Sequence, residues 1–200
     1  MSRFEPASPD STTESAPSHR FVTGSRTRNL VTASLVVSLL AVSAWVTLPL
    51  GAVPVTLQVF VVVLAALLLS PGWAAASLGT YLLLGAAGLP IFSHGTGGIG
   101  VVAGPTGGYL IGFFVAAPLA AMIRVQLRRR GVASITSDIA AAITCIVCIY
   151  LLGWTQLALV TGMGPAKAFL AGVLPFLIPD AIKAAVAITV ATAVRRARAL

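Results

Sequence analysis

Apolar residues in this chain come in long blocks instead of strict alternation. Six blocks stand out, at 29–49, 54–70, 73–90, 107–126, 137–161 and 172–194. Each is long enough, or nearly so, to cross a hydrocarbon core of about 30 Å as a helix. The pattern predicts an all-α integral membrane protein, a bundle of six transmembrane helices. The second and third blocks are short and joined by Ser70-Pro71-Gly72, which reads as a tight turn. No internal repeat stands out. Residues 1–27 differ from everything after them: six serines, three prolines and three acids accompany only Phe4 and Phe21. Such a stretch cannot bury enough apolar surface to offset the entropy of ordering it. The expected organisation is a disordered tail over 1–27 and a membrane domain over 28–200. Arg26 and Arg28 before the first block resemble the start of a signal peptide, with Ala41-Val42-Ser43 resembling a cleavage site. The block continues past that point to Pro49, so it reads as an uncleaved first span.

Composition supports the membrane assignment. The chain is 58% hydrophobic and 9% charged, with mean hydropathy +0.98, too little charge to cover a water-soluble surface. The formal charge of +8 does not point to nucleic acid, because the arginines gather at the ends of apolar blocks. Arg26 and Arg28 precede the first block, Arg124, Arg128, Arg129 and Arg130 lie between the fourth and fifth, and Arg195, Arg196 and Arg198 follow the sixth. Six spans put all nine on one side, which the positive-inside rule makes the cytoplasm. Both termini are then cytoplasmic, and 49–54, 90–106 and 161–171 face outward with Lys167 as their one cation.

Eight of the residues in 88–108 are glycine. Read as an extracellular loop, this segment is either flexible or the wall of a cavity, since irregular backbone near membrane depth is tolerated where it lines one. It ends at Gly107-Gly108-Tyr109, where a helix start offers free N–H groups. Gly95-Thr96-Gly97-Gly98-Ile99-Gly100 matches G-x-G-x-x-G in form, but no strand precedes it and no acid follows about 20 residues on, so a dinucleotide site is excluded. Walker, G-x-S-x-G and H-E-x-x-H motifs are absent, which leaves no basis for an enzyme. Cys145 and Cys148 sit in the middle of an apolar block and read as buried thiols. No metal-ligand spacing is present.

The chemistry gathers around Asp180 and Lys183. One helical turn separates them, inside the last apolar block, so they share a face. A lone charge at the bilayer centre costs about 2.5–3.5 kcal/mol, and intramembrane ionisable residues mark functional sites by default. The pair is either a structural lock or the polar anchor for a solute; the second reading is preferred. Pro179 suits the first position of a helix and would leave Asp180 near its N-terminus. Thr56 and Gln58 stand at the outer edge of the second span, as helix caps and interhelical partners or as ligand contacts. His94 is a candidate donor on the glycine-rich loop. The polar residues thus converge on one outward-facing pocket formed by Thr56, Gln58, the glycine loop, Tyr109, Asp180 and Lys183.

At this point the chain resembles the BioY family, the biotin-binding S components of energy-coupling factor transporters. The resemblance covers about residues 29–194. It rests on Val53-Pro54-Val55-Thr56-Leu57-Gln58, on the run from Tyr81 through Gly88-Leu89-Pro90-Ile91-Phe92, on Gly104-Pro105-Thr106-Gly107-Gly108-Tyr109-Leu110, and on Gly172-Val173-Leu174-Pro175-Phe176 followed by Asp180-x-x-Lys183. It implies a six-helix protein of the bacterial plasma membrane that captures biotin from outside, without a cofactor. It also implies a transmembrane coupling subunit and a pair of ABC-type ATPases as partners. Two features depart from the family pattern. Ile178-Pro179-Asp180 replaces Pro-Gly-Asp, and span one carries Ser34-x-x-x-Ser38 where S components often have A-x-x-x-A. With biotin as ligand, Asp180 suits the two ureido N–H donors and Lys183 the ureido oxygen. Gln58, Thr56 and the N–H groups of Gly107 and Gly108 suit the tail carboxylate, with Tyr109 and Phe92 walling the rings. The opposite pose, with Lys183 on the carboxylate, satisfies the same groups. An S component for another vitamin and an ion-coupled small-solute transporter are the rival readings.

Overall fold

Blocks rich in Leu, Val, Ala and Ile become helices in an apolar medium because a helix satisfies its own backbone hydrogen bonds. The computed structural model describes residues 20–48 and 53–197. Its elements run α1 (Arg20–Ser43), β1 (Thr47–Leu48), β2 (Val55–Thr56), α2 (Gln58–Leu68), α3 (Pro71–Ala86), α4 (Ile99–Ala103), α5 (Gly107–Arg129), α6 (Ser134–Thr161), α7 (Pro165–Gly172) and α8 (Leu177–Ala197). Short 3-10 turns at Ser93–Gly95 and Leu174–Phe176 precede α4 and α8. Three segments are long and apolar enough to cross a membrane: Gly107–Arg129, Ser134–Thr161 and Pro165–Ala197. Thr27–Ser43 and Gln58–Leu68 are shorter apolar helices.

Several boundaries differ from the sequence expectation. The backbone of α1 is already helical at Arg20, and of the expected tail, residues 1–19 lie outside the described residues. So do 49–52, within the first outward loop, and Arg198. Thr56 does not stand on a helix: Val55 and Thr56 pair antiparallel with Leu48 and Thr47, and α2 starts only at Gln58. Two segments read as loops contain helices. Pro165 opens α7 within 161–171, in the first-turn position where its missing N–H costs nothing. The glycine-rich segment contains α4. The last helix begins at Leu177, two residues before Pro179, because proline is tolerated throughout a first turn; Asp180 lies in that turn.

Packing follows small residues. The most extensive contact is between α5 and α6. A Cβ on Gly108 would strike the Leu152 carbonyl and Gln156, and one on Gly112 would crowd Ile149. Glycine lets the two backbones approach closely, as membrane helix pairs require where no water drives them together. On α1, Ala33, Val36 and Leu40 face inward while Val31, Leu35, Leu39 and Val42 are exposed. Ser34 and Ser38 are on the exposed side. Cys145 is buried and Cys148 half-buried, both as free thiols.

One end of the bundle is tied by a charged cluster absent from the sequence expectation. Asp138 on α6 is fully buried. Its carboxylate accepts from Arg128 Nη2 of α5 at 2.7 Å and from Arg195 Nη2 of α8. Arg124 donates to the carbonyls of Ala66 and Leu69, at 3.1 and 2.9 Å, and Arg195 Nη1 donates to Leu67 O at 3.4 Å. These carbonyls belong to the last turn of α2 and to Leu69, which caps it, and they lack partners within the helix. Removing one member of a buried ion pair strands the others at a cost of about 3–5 kcal/mol. Asp138→Asn is therefore expected to destabilise the detergent-solubilised protein by about 3 kcal/mol, read as a lowered thermal unfolding midpoint. A midpoint equal to the parent's would mean that the cluster does not hold these helices together.

Candidate functional site

At the other end of α6 and α8 lies a cavity of about 470 Å³, within the usual range for small-molecule sites. Tyr150 follows Asp138 along α6 by about 18 Å, and Asp180 precedes Arg195 along α8 by about 22 Å, at 1.5 Å per residue. The cavity and the arginine cluster thus occupy opposite ends. Its wall is drawn from β2 and α2 (Thr56, Gln58, Val59), the glycine-rich segment (Phe92, Ser93, His94, Thr96, Gly100), the start of α5 (Thr106, Tyr109, Leu110, Phe113), α6 (Ile149, Tyr150) and the start of α8 with its preceding turn (Phe176, Asp180, Lys183).

Asp180 is buried and accepts two hydrogen bonds. Lys183 Nζ donates to Oδ1 at 2.7 Å, and Tyr150 Oη donates to Oδ2 at 2.8 Å. The i,i+3 spacing makes the first bond local to α8, and Tyr150 carries the second across to α6. Each carboxylate oxygen still has a lone pair, and Lys183 still has two N–H groups. The site therefore presents acceptors and charged donors side by side with no net charge. A neutral group carrying both N–H and C=O fits this pair, whereas a bare carboxylate there would face Asp180.

Thr56 and Gln58 are largely spent on the protein itself. Thr56 Oγ1 donates to Gln58 Oε1 at 3.0 Å, and Gln58 Nε2 donates to Tyr81 Oη at 2.7 Å. One amide N–H of Gln58 remains. Tyr109 likewise donates its hydroxyl to the Gly172 carbonyl at 2.7 Å, so it offers the cavity its ring. A Cβ at Gly153 would collide with that ring.

Seven of the nine sequence-predicted residues therefore line one cavity: Thr56, Gln58, Phe92, His94, Tyr109, Asp180 and Lys183. Gly107 and Gly108 do not line it. They sit where α5 meets Val102, Leu152 and Gln156, and the Gly107 N–H is bonded to Gly104 O at 3.1 Å. Gln156 Nε2 closes the same corner on the carbonyls of Val102 and Gly104, both at 2.8 Å. Both glycines are closely packed at this corner. His94 is exposed, holds a left-handed backbone (φ 59°), and has its Nδ1 3.1 Å from Ser93 Oγ. Sequence reasoning missed Tyr150, although a tyrosine in mid-span needs a partner for its hydroxyl.

Close-packing glycines yield a direct expectation. Gly108→Ala should lower stability by about 1–3 kcal/mol, the usual cost of forcing a methyl into a filled core, measured by thermal unfolding. Parent-like stability would mean that α5 and α6 can part at this point without cost.

Comparison with known proteins places this geometry in context. Residues 13–200 match the family model described as the BioY family. The chain is 42% identical over 158 residues to a probable biotin transporter BioY of Pyrococcus horikoshii, covering 79% of this chain and 90% of that one. It is 37% identical over 169 residues to the biotin transporter BioY of Thermotoga maritima, covering 84% and 96%. The fold is similar to the crystal structure of the S-component for biotin from an ECF-type ABC transporter. The TM-score is 0.81 at 22% identity, over 86% of this chain and 93% of that one; at that identity the likeness carries the fold.

Proposed function

The chain belongs to the BioY family, and from that membership and the cavity we propose that it is the high-affinity biotin-binding membrane subunit of an ECF-type importer. It is a transport protein, not an enzyme. The observation that carries the ligand assignment is the Asp180–Lys183–Tyr150 group at the cavity. Adjacent acceptor and donor, neutral as a set, match a ureido ring with two N–H groups and one carbonyl. Asp180 takes the ureido N–H donors and Lys183 the ureido oxygen. The rings lie against Phe92 and Tyr109, and the valerate tail is directed toward Gln58 and the Ser93–His94 turn. This pose keeps the ligand carboxylate away from Asp180, which favours it over the reverse.

The membrane arrangement in this reading has six crossings, with α7 and α8 together forming the last. The arginine-rich end faces the cytoplasm, both termini lie on that side, and the cavity with its glycine-rich cover faces outward. Nine arginines at one end and Lys167 at the other support this orientation. Partners are a transmembrane coupling subunit and ABC ATPase subunits. The exposed Ser34-x-x-x-Ser38 face of α1 offers small residues for helix docking.

Calorimetric titration of the detergent-purified protein with biotin, without ATP, is expected to give one site, with other vitamins failing to compete. Folded protein that binds no biotin would overturn the assignment. Asp180→Asn and Lys183→Ala are each expected to weaken binding by at least about 2 kcal/mol, the scale of a lost buried charge-assisted contact. The double variant should lose less than the sum, because the two groups share one site. Near-native affinity in either single variant would move the ligand elsewhere.

Orientation has its own test, in a background with Cys145 and Cys148 replaced by alanine. Gly100→Cys suits the cavity end, since a Cβ there meets nothing within 4 Å, and Arg130→Cys suits the opposite end. A membrane-impermeant thiol reagent applied to intact cells should label position 100 and spare position 130, with biotin protecting position 100. The reverse labelling would invert the topology.

A further inference from the structure

The segment between α3 and α5 is strapped to α3 by a dense set of contacts. Gly98 N donates to Gly85 O at 2.6 Å, Leu89 N to Leu84 O at 3.2 Å, and Phe92 N to Thr96 O at 2.9 Å. The Phe92 ring is buried where Gly85 leaves room for no side chain, and it meets Tyr81 edge-on with centroids 5.6 Å apart. Every one of these contacts joins the segment to α3 or to itself. Among the described residues, its hydrogen-bonded link to α2, the helix across the cavity mouth, runs through one hydroxyl. Tyr81 Oη donates to Ile91 O at 2.7 Å and accepts from Gln58 Nε2 at 2.7 Å. Gln58 in turn holds Thr56 on β2. In the chain Ile91–Tyr81–Gln58–Thr56, Gln58 and Thr56 border the cavity, whereas Tyr81 is buried and is not among the residues lining it.

We propose that Tyr81 is a positioning residue for ligand retention: its hydroxyl pins the Ile91–Thr96 turn, with Phe92 and His94, to the start of α2, and the ligand leaves only when that tie opens. The inference rests on the biotin-binding reading. The Tyr81 hydroxyl, bonded to the Ile91 carbonyl and to Gln58, fixes the turn without itself touching the ligand. Its loss therefore acts on escape and leaves encounter unchanged.

Tyr81→Phe removes the hydroxyl and keeps the ring against Phe92. Hydrogen exchange of the ligand-free protein should quicken about tenfold in peptides covering 88–98 while peptides from the middle of α6 keep the parent rate. The dissociation rate of biotin should rise about tenfold, as loss of one net hydrogen bond implies, with the association rate within about twofold, since such changes fall mainly on dissociation. Unchanged exchange over 88–98 overturns the proposal. Faster exchange with an unchanged dissociation rate overturns the retention role. A uniform rise in exchange across all helices marks a general loss of stability and also overturns it. Gln58→Leu cuts the same tie from the other side. Because Gln58 also borders the cavity, its readout is exchange in the ligand-free protein, which should quicken over 88–98 if Tyr81→Phe fails to fold and whose constancy there overturns the proposal. Should the parent protein bind no biotin, the transport reading fails, and the exchange measurement alone decides the tie.

Discussion

In lipid, every backbone N–H and C=O must find its partner within the protein, and in this fold that demand falls hardest on α2. With 11 residues it is about 16 Å long, near half of the hydrocarbon thickness of about 30 Å. Placed in a bilayer, it leaves at least one end at a depth where no water can serve its free backbone groups. The structure answers with Arg124 and Arg195, whose guanidinium groups reach the carbonyls of Ala66, Leu67 and Leu69. Those cations are themselves expensive to bury, and a nearby carboxylate offsets them. Asp138 supplies it, binding Arg195 directly and Arg128 beside it. A short helix thus dictates a charged cluster, and the cluster fixes where α5, α6 and α8 end relative to one another.

What α2 lacks in length becomes the room for the cavity. Its first residue, Gln58, stands well inside the bundle, and the chain before it runs as the β2 strand instead of extending the helix. The space above is roofed by the glycine-rich segment and walled by the starts of α5 and α8. Helix starts are where free N–H groups and bendable backbone collect, which suits a site that has to hold a polar solute and let it in. The three tyrosines of the chain all join elements around this space. Tyr81 links α3 to Ile91, Tyr109 links α5 to Gly172, and Tyr150 links α6 to Asp180. Each spends its hydroxyl on another part of the chain; Tyr109 and Tyr150 line the cavity, and the Tyr81 ring packs against Phe92.

Much of this was legible in the sequence because membrane folding writes large signals. Long apolar blocks gave the helical class, and a charge inside one of them marked Asp180 and Lys183. Less legible was anything that depends on how helices meet. Gly107 and Gly108 look the same in sequence whether they cradle an anion or let α5 touch α6; only the positions of Leu152 and Gln156 separate the two. Thr56 and Gln58 were located correctly near the cavity, yet their bonds to each other and to Tyr81 depend on a contact 23 residues away. Helix ends were also misplaced, because hydropathy does not record where α2 stops being a helix and β2 begins. Asp138 is a different case. It is an acid inside an apolar block just as Asp180 is, and the argument applied to one applied equally to the other.

That parallel between the two aspartates has a consequence for how α6 and α8 are held. Each helix contributes one carboxylate and receives the other's partner: Asp138 of α6 binds Arg195 of α8, and Asp180 of α8 binds Tyr150 of α6. The two ties lie at opposite ends of the pair and differ in kind. At the Asp138 end the carboxylate meets two arginines, both bound to it, and none of its partners lines the cavity. At the Asp180 end the partners are a neutral hydroxyl and one lysine, and all three groups border the cavity. A doubly paired charge stranded in low dielectric is costly to open, whereas a hydroxyl on a carboxylate can be exchanged for a ligand's N–H at little net change in free energy. The fold therefore places its stiff fastening far from the solute and its exchangeable one beside it, so α8 has a fixed end and an end whose hydrogen bonds a ligand can share.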